Sequence, residues 1–321
     1  MSFADIVGQD KTIAVLRNSL EAGRIAHAYL FDGIEGCGKR KTALALIAAL
    51  FCRKSDEGCA SCPTCRNVAM AQHPDLHMIE PDGAFIKIEQ IRDLQRELVL
   101  RPFEAPRKAC IIEAAERLNP SSGNALLKTL EEPPGNALII LLTTNIGGVL
   151  PTILSRCQRL HFPALPAASI ERVLLRRGCT PETARVAASL GGGSLKKATE
   201  IGEEETLVNR REFLERVFSL SLGDIAPLFA AAEEIAAEKD KALEMLELLT
   251  SFLRDVLLRQ EGIDSSVNSA LHHLLDRQAA ALPPGKTLEQ IDAVREAHNA
   301  ILRNANPRLA LEVLFMRLAQ R

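Results

Sequence analysis

The chain has no Trp and a single Tyr in 321 residues, so the aromatic platforms on which single-stranded nucleic acid stacks are scarce. Charge of one sign is lacking too: the formal net charge is −2, which argues against a broad basic surface and leaves room only for a local patch. No apolar run approaches the ~20 residues of a membrane span, and the opening MSFADIVGQD has none of the features of a secretory signal. These absences turn the reading away from a stacking-type single-strand binder, a cationic nucleic-acid coat and a membrane protein. A soluble, cytoplasmic protein is expected, and 47% hydrophobic with 25% charged residues is the balance of such a chain. Its length exceeds one ordinary core and predicts two or three domains.

What is present begins with Gly33 to Thr42, GIEGCGKRKT. The apolar run Ala28-Tyr29-Leu30-Phe31 precedes it and a helical run, Ala43 to Phe51, follows. Strand, glycine loop and helix in that order make a phosphate-binding loop: backbone N–H groups turn inward, the helix aims its positive end at the anion, and a lysine reaches the outer phosphates. Gly33, Gly38 and Lys39 fill the Gly-x-x-x-x-Gly-Lys frame, and Gly36 lies inside it. The next position should carry the hydroxyl that holds magnesium, and here it is Arg40. Thr42 is no substitute, because two residues further on it is rotated by roughly 200° about the helix. Gly33, Gly36, Gly38, Lys39 and Arg40 are therefore candidates for anion binding without a metal ligand. Residual phosphate, sulfate or ADP remains open, with Arg40 expected to fill the metal's space and pair with Glu113.

Eight cysteines in a chain without a secretory signal point to thiols kept reduced or bound to metal. Cys52, Cys59, Cys62 and Cys65 have the spacing C-x6-C-x2-C-x2-C. Two-residue gaps let thiolates converge on one ion, and four soft thiolates favour a closed, structural Zn2+ site with no open position for chemistry. An iron–sulfur cluster is the alternative; a disulfide pair does not suit the compartment.

Further along, Leu76, Met78 and Ile79 and then Phe85 to Ile88 are strand-like around the turn Pro81-Asp82-Gly83, and Ile88 to Leu100 is an amphipathic helix. Lys108 to Glu113 and Asn136 to Thr143 are buried strands separated by a helix, Ser121 to Glu132. Their alternation with helices predicts a parallel sheet covered on both faces, with the glycine loop, Glu113 and Asn145 in one crevice at the strands' carboxyl ends. A phosphate-loop enzyme would carry an Asp-Glu pair where this chain has Glu113-Ala114. Loss of the base and of the loop hydroxyl are two independent hits on one reaction. Phe3 to Gly23 reads as one helix, and His27 as a structural histidine.

Leu150 to Phe162 contains Ser155-Arg156-Cys157 after a short helical turn; taken alone, this is also what a surface arginine paired with a carboxylate looks like. Pro163 to Pro166 reads as a linker. Three short helices follow (Ala167–Gly178, Pro181–Leu190, Ser194–Ile201). Then come longer ones over Glu205–Ser219, Ile225–Glu238, Lys241–Gln260, Val267–Ala281, Thr287–Asn304 and Pro307–Arg321, a bundle of the packing or assembly kind.

The order of these pieces resembles the clamp-loader branch of the AAA+ ATPases. It runs from Ile6-Val7-Gly8-Gln9 through His27 to Phe31, GIEGCGKR, the four cysteines, NALLKTLEEPP (Asn124–Pro134) and LPTILSRCQ (Leu150–Gln158). The motifs cover about half the chain; the helical remainder agrees in kind. The resemblance implies an AAA+ type α/β domain over 1-163 with an inserted zinc module at 52-65, a small helical lid over 164-203, and a helical oligomerisation collar over 204-321. It implies a hetero-pentamer with motor subunits of gamma/tau type and a delta-type subunit, acting on a sliding clamp and primer-template DNA, with no membrane role. It also implies that Arg156 is an arginine finger reaching a neighbour's ATP, and that the lid's nucleotide-sensing arginine is replaced here by Lys196 or Lys197. The departures at Arg40, Glu113 and Ala114 point to a member that does not hydrolyse ATP itself; the alternative is an active ATPase motor subunit.

Overall fold

The computed structural model describes residues 2–263 and 271–320, with side chains at 204–208 excepted. It divides into two compact units, Met1–Ser169 with Gly193–Lys196, and Ile170–Gly192 with Lys197–Arg321.

The first unit is a layered α/β body. In chain order its elements are α1 (Asp10–Glu21), β1 (Ala28–Asp32), α2 (Lys39–Phe51), α3 (Pro63–Ala69), β2 (Leu76–Ile79), α4 (Ile88–Val99), β3 (Ala109–Ile112), α5 (Pro120–Glu131), β4 (Leu138–Thr143), α6 (Pro151–Leu154) and β5 (Gln158–His161). The five strands form one parallel sheet in the order β2-β3-β4-β1-β5. Every residue of β1, β3 and β4 is buried, as expected of strands covered on both faces. Among the flanking helices, α2 buries Ala43 to Ala49 without interruption, so it packs all round. The parallel register brings the residues after β1, β2, β3 and β4 to one edge, which is where such sheets bind ligands.

The parallel sheet follows the expected pattern, and several local features differ from it. Phe3 to Gly23 is not one helix: Phe3–Asp5 is a single 3-10 turn and α1 starts only at Asp10. Gly8, at φ +74°, breaks the run; a Cβ there would stand 2.8 Å from Leu165. Phe85 and Ile86 make only isolated bridges, to Asp82 and Leu118, and no strand. Conversely, Gln158–His161 is an edge strand, pairing with β1 from Tyr29↔Gln158 to Asp32↔His161.

The second unit is helical throughout its described elements. α7 (Ala167–Arg176) leads into it, followed by α8 (Pro181–Leu190), α9 (Leu195–Ile201), α10 (Glu204–Val217), α11 (Ala226–Ala236), α12 (Lys239–Gln260), α13 (His272–Ala281), α14 (Pro284–Leu302) and α15 (Pro307–Ala319). Leu228, Leu246, Leu249, Phe252, Val294, Ile301 and Phe315 are at the centre of its core. The part of the expected Val267–Ala281 helix before Leu271 lies outside the described residues. Among the described residues, no helix is long and apolar enough to cross a membrane.

The end of β1 is tied to β5 through Asp32. Its buried carboxylate accepts from Arg159 Nε at 2.7 Å and Nη2 at 3.1 Å, and faces His161 Nδ1 at 2.7 Å. Burial alone would raise the Asp32 pKa, but the bonds to Arg159 and His161 outweigh it and hold the carboxyl below its usual range. A depressed carboxylate pKa stabilises the fold above the unfolded value, near pH ~4, and that contribution is lost as pH falls through the folded value. Asp32→Asn is therefore expected to destabilise the chain by about 1–3 kcal/mol at neutral pH. In thermal melts at a series of pH values, the difference from wild type should shrink as the solution is acidified.

Candidate functional site: a self-filled phosphate loop, a thiol cluster and a caged arginine

The loop Gly33–Gly38 connects β1 to α2, with Gly38 as the N-cap at φ +107°. Lys39, Arg40 and Lys41 then occupy the first helical turn, at the end of the dipole that attracts anions. Each of the three cations has a partner within the chain. Lys39 is buried, and its Nζ donates to the carbonyls of Gly33 at 2.6 Å and Ile34 at 2.7 Å. Burial lowers its pKa, against the attraction of Cys37, Glu116, Glu35 and Asp32. Lys41 Nζ donates to the carbonyl of Asp5. Arg40 Nη1 lies 2.9 Å from Glu113 Oε1 and 3.3 Å from Glu80 Oε1, so the expected Arg40–Glu113 pair is present. Thr42 donates to the carbonyl of Gly38 at 2.9 Å, and its hydroxyl is thus spent within the helix.

Glu113 follows β3 and Glu80 follows β2, so the sheet itself delivers both carboxylates to Arg40. The Glu113 contact is charge on charge without hydrogen-bond alignment. Burial raises the Glu113 pKa, and Arg40 offsets only part of that. The pair therefore fills space and balances charge more than it stabilises.

The crevice holds a second carboxylate to which the sequence assigned no role. Glu116 accepts from Thr143 Oγ1 and Thr144 Oγ1, each at 2.7 Å. Burial would raise its pKa, but the two hydroxyl bonds hold it low. Asn145, expected in the crevice, turns its side-chain oxygen to the N–H of Gly147 at 3.1 Å and caps a 3-10 turn.

Two long-range contacts close the loop from outside. Gln9 Nε2 donates to the carbonyls of Cys37 at 3.0 Å and Pro163 at 2.8 Å, tying the loop to the exit from β5. Segment Gly193–Lys196 lies against the loop: the Leu195 N–H donates to Gly36 O at 3.1 Å, and Lys196 Nζ reaches Glu35 Oε1 at 2.7 Å. Of the two candidate sensing lysines, Lys196 thus meets the loop, and Lys197 pairs with Glu247. Beyond Gln9 and the Gly191-Gly192-Gly193 run neither closure is legible locally, because partners 154 and 161 residues away are invisible to local pattern.

The four cysteines converge. The Sγ atoms of Cys52, Cys59, Cys62 and Cys65 all lie within 4.8 Å of one another, with Cys59 and Cys65 at 4.0 Å. A tetrahedral ion with metal–sulfur bonds of ~2.3 Å spaces its ligands at ~3.8 Å, so the donor set fits one ion. Backbone N–H groups of Lys54, Cys62 and Cys65 point at the sulfurs of Cys52, Cys59 and Cys62, each at 3.4 Å. The Ser61 hydroxyl and nearby N–H groups bring the Cys59 thiol down to about 5, and burial pushes Cys65 up to about 12. Helix α3, unforeseen from sequence, exists to present Cys65: Cys62 is its N-cap and Pro63 its first residue.

Arg156 stands two residues beyond α6. Its Nε donates to Glu131 Oε1 at 2.6 Å, Nη2 faces the same oxygen, and Nη1 donates to Thr152 O at 3.0 Å and Ser155 Oγ at 3.2 Å. The guanidinium is about one-third exposed and does pair with a surface carboxylate, as the tripeptide alone would suggest.

Residues 8–166 match the family described as DNA polymerase III, delta subunit, and residues 204–320 match its C-terminal region. The chain is 32% identical over 318 residues to DNA polymerase III subunit delta' of Bacillus subtilis strain 168, which covers 97% of this chain and 96% of that one. The chain belongs to the DNA polymerase III delta-prime family. That family lies in the clamp-loader branch of the AAA+ proteins, as the motif order implies. A DNA polymerase III gamma/tau subunit of Mycobacterium tuberculosis H37Rv is also 32% identical over 99% of the chain, but the chain spans only 61% of that relative's length. Among solved structures, a gamma subunit-related protein of Thermotoga maritima shares the fold, with a TM-score of 0.50 at 20% identity, covering 95% of this chain and 99% of that one.

Gly36 carries much of the loop's packing. It sits at φ +75°, and a Cβ would meet Ser194 Oγ at 2.2 Å and both Cβ and N of Lys196 at 2.9 Å. Gly36→Ala is expected to cost roughly 1–2 kcal/mol in backbone strain alone. In hydrogen exchange, the Leu195 amide should lose its protection by at least ~10-fold while the amides of β1 and β4 keep theirs.

Proposed function

We propose that the chain is a non-hydrolysing subunit of a replicative clamp loader, which helps load a sliding clamp on primed DNA and donates Arg156 to a neighbouring subunit's ATP. The observation that carries the first half is Arg40 lodged between Glu113 and Glu80. A guanidinium stands where a hydroxyl would hold a divalent cation, and position 114, where a phosphate-loop enzyme carries the acid that activates water, is a methyl group. Lys39 bonded to its own loop carbonyls, and Leu195 on Gly36, support a pocket that keeps one shape without nucleotide. The second half rests on Arg156 in the Ser-Arg-Cys motif and on family membership: relatives named delta' and gamma/tau point to motor subunits of gamma/tau type as neighbours. A cation placed against another subunit's γ-phosphate can be worth ~10³–10⁵ in rate.

In this reading the α/β body spans 1-163, residues 164-203 are the small lid, and 204-321 form the collar that joins a delta-type subunit and the motors in a hetero-pentamer. An apolar groove of about 340 Å³ between α14 and α15, lined by Ala293, Ala297, Leu309 and Val313, suits packing against other helices. The thiol cluster is a structural zinc site, since four sulfur donors complete a tetrahedron and leave no position for substrate.

The lone chain with magnesium and ATP is expected to show no turnover, and Arg40→Thr alone should not restore it because Ala114 remains. Brisk turnover abolished by Lys39→Ala would instead make the chain a motor. Adding the chain to purified motor subunits should raise DNA-stimulated ATP hydrolysis, and Arg156→Ala should remove that increment without preventing assembly.

Elemental analysis of the purified chain should find about one zinc. Cys65→Ser is expected to lose stoichiometric metal and to lower the melting temperature by several degrees. Iron, or no metal in the wild type, overturns the zinc assignment.

A further inference from the structure

The arginine assigned to a neighbour's triphosphate is not free to meet one in the lone chain. A guanidinium grips phosphate through paired N–H groups on one edge. In Arg156 the Nε and Nη2 edge is turned to Glu131 Oε1, and Nη1 is shared by Thr152 O and Ser155 Oγ. A phosphate can take the Nε–Nη2 edge only if the carboxylate leaves it.

Glu131 is also an odd residue for its place. It is the last residue of α5, followed by Glu132 and then Pro133-Pro134. The carbonyl end of a helix favours cations, so local helix stability gives no reason for an acid here. The carboxylate is half-exposed and reaches 25 residues along the chain to Arg156.

We propose that Glu131 is a positioning residue that holds Arg156 in a neutralised, withdrawn pose and yields it only to a competing polyphosphate presented by the neighbouring subunit. This rests on the reading of Arg156 as a finger acting in trans. A triphosphate carries more negative charge than one carboxylate, so it wins the exchange, at the expense of breaking the pair. Because the pair is exposed, that penalty is modest, equivalent to about a two- to fivefold change in the ATP needed for half-maximal turnover. The carboxylate thus sets a threshold for engagement of the finger and leaves the rate after engagement unaltered.

The test uses the assembly reconstituted from this chain and gamma/tau-type motor subunits, with ATP as the probe and sedimentation to confirm equal assembly. Glu131→Gln keeps the shape and removes the charge. It is expected to lower the half-saturating ATP concentration by about two- to fivefold with the maximal rate unchanged. Glu131→Asp, which retains the charge, should stay near wild type. On an Arg156→Ala background, Glu131→Gln should change nothing. An unchanged or raised ATP requirement in Glu131→Gln, or a fall in its maximal rate, overturns the proposal. If Arg156→Ala removes the turnover increment while Glu131→Gln leaves the ATP requirement as it was, only the role of Glu131 falls. If Arg156→Ala itself is without effect, the finger reading falls and this proposal goes with it.

Discussion

The contact between Arg40 and the carboxylates of Glu113 and Glu80 governs the rest of the crevice. A phosphate loop concentrates positive charge at a helix N-terminus so that an anion, usually with a divalent cation, can neutralise it. Here the helix adds three cations of its own, Lys39, Arg40 and Lys41, and the chain must supply the counter-charge itself. It does so from the ends of β2 and β3 and from the loop carbonyls. The Arg40–Glu113 contact lacks hydrogen-bond alignment, and burial of the carboxyl works against the help from Arg40, so it is a weak ion pair. What the arrangement achieves is occupancy, since a cation already sits between the two carboxylates.

The parallel sheet makes that occupancy possible with residues far apart in sequence. The first residues beyond β1, β2, β3 and β4 arrive at one edge regardless of what connects the strands. Gln9, through its side-chain amide, and Leu195, through its N–H, then bind backbone carbonyls of the loop from two sides. Contacts to backbone carbonyls of this kind depend on loop shape. Gly36 therefore has a packing reason of its own to be glycine: it lets Ser194 and Lys196 approach.

Local chemistry was legible in the sequence and long-range closure was not. Gly33, Gly38 and Lys39, the cysteine spacing, and the buried runs of β1, β3 and β4 each announce themselves within a dozen residues. The Arg40–Glu113 pair could be anticipated because two motif positions of known geometry had exchanged character together. By contrast, β5 reads Gln-Arg-Leu-His, an edge strand whose only buried side chain is Leu160, so no alternation of apolar residues marks it. The break at Gly8 goes with its left-handed backbone and the close approach of Leu165, far along the chain, and an amphipathic pattern that continues across it misleads. Glu116 went unassigned because its partners, Thr143 and Thr144, lie on another strand's end. Helix α3 is too short for periodicity, and only the cluster it serves explains it.

Arg40 and Arg156 are both arginines in motifs built for phosphate, and both are met by glutamate, yet the surroundings of those glutamates differ. Arg40 is met by carboxylates rooted at two strand ends, and Glu113 keeps only about a quarter of its side chain exposed, so parting the pair would leave a poorly solvated acid behind. Arg156 is held by one half-exposed glutamate at a helix end, which water can solvate as soon as the pair opens. The acid that meets the first cation is thus the less solvated of the two, which fits the proposal that Arg40 stays within the chain and that Arg156 is yielded to an incoming anion. Under that proposal, a subunit that fills its own pocket and offers a cation elsewhere uses this difference in exposure between Glu113 and Glu131. The sheet provides it by placing one glutamate inside the crevice and the end of α5 provides the other, outside it.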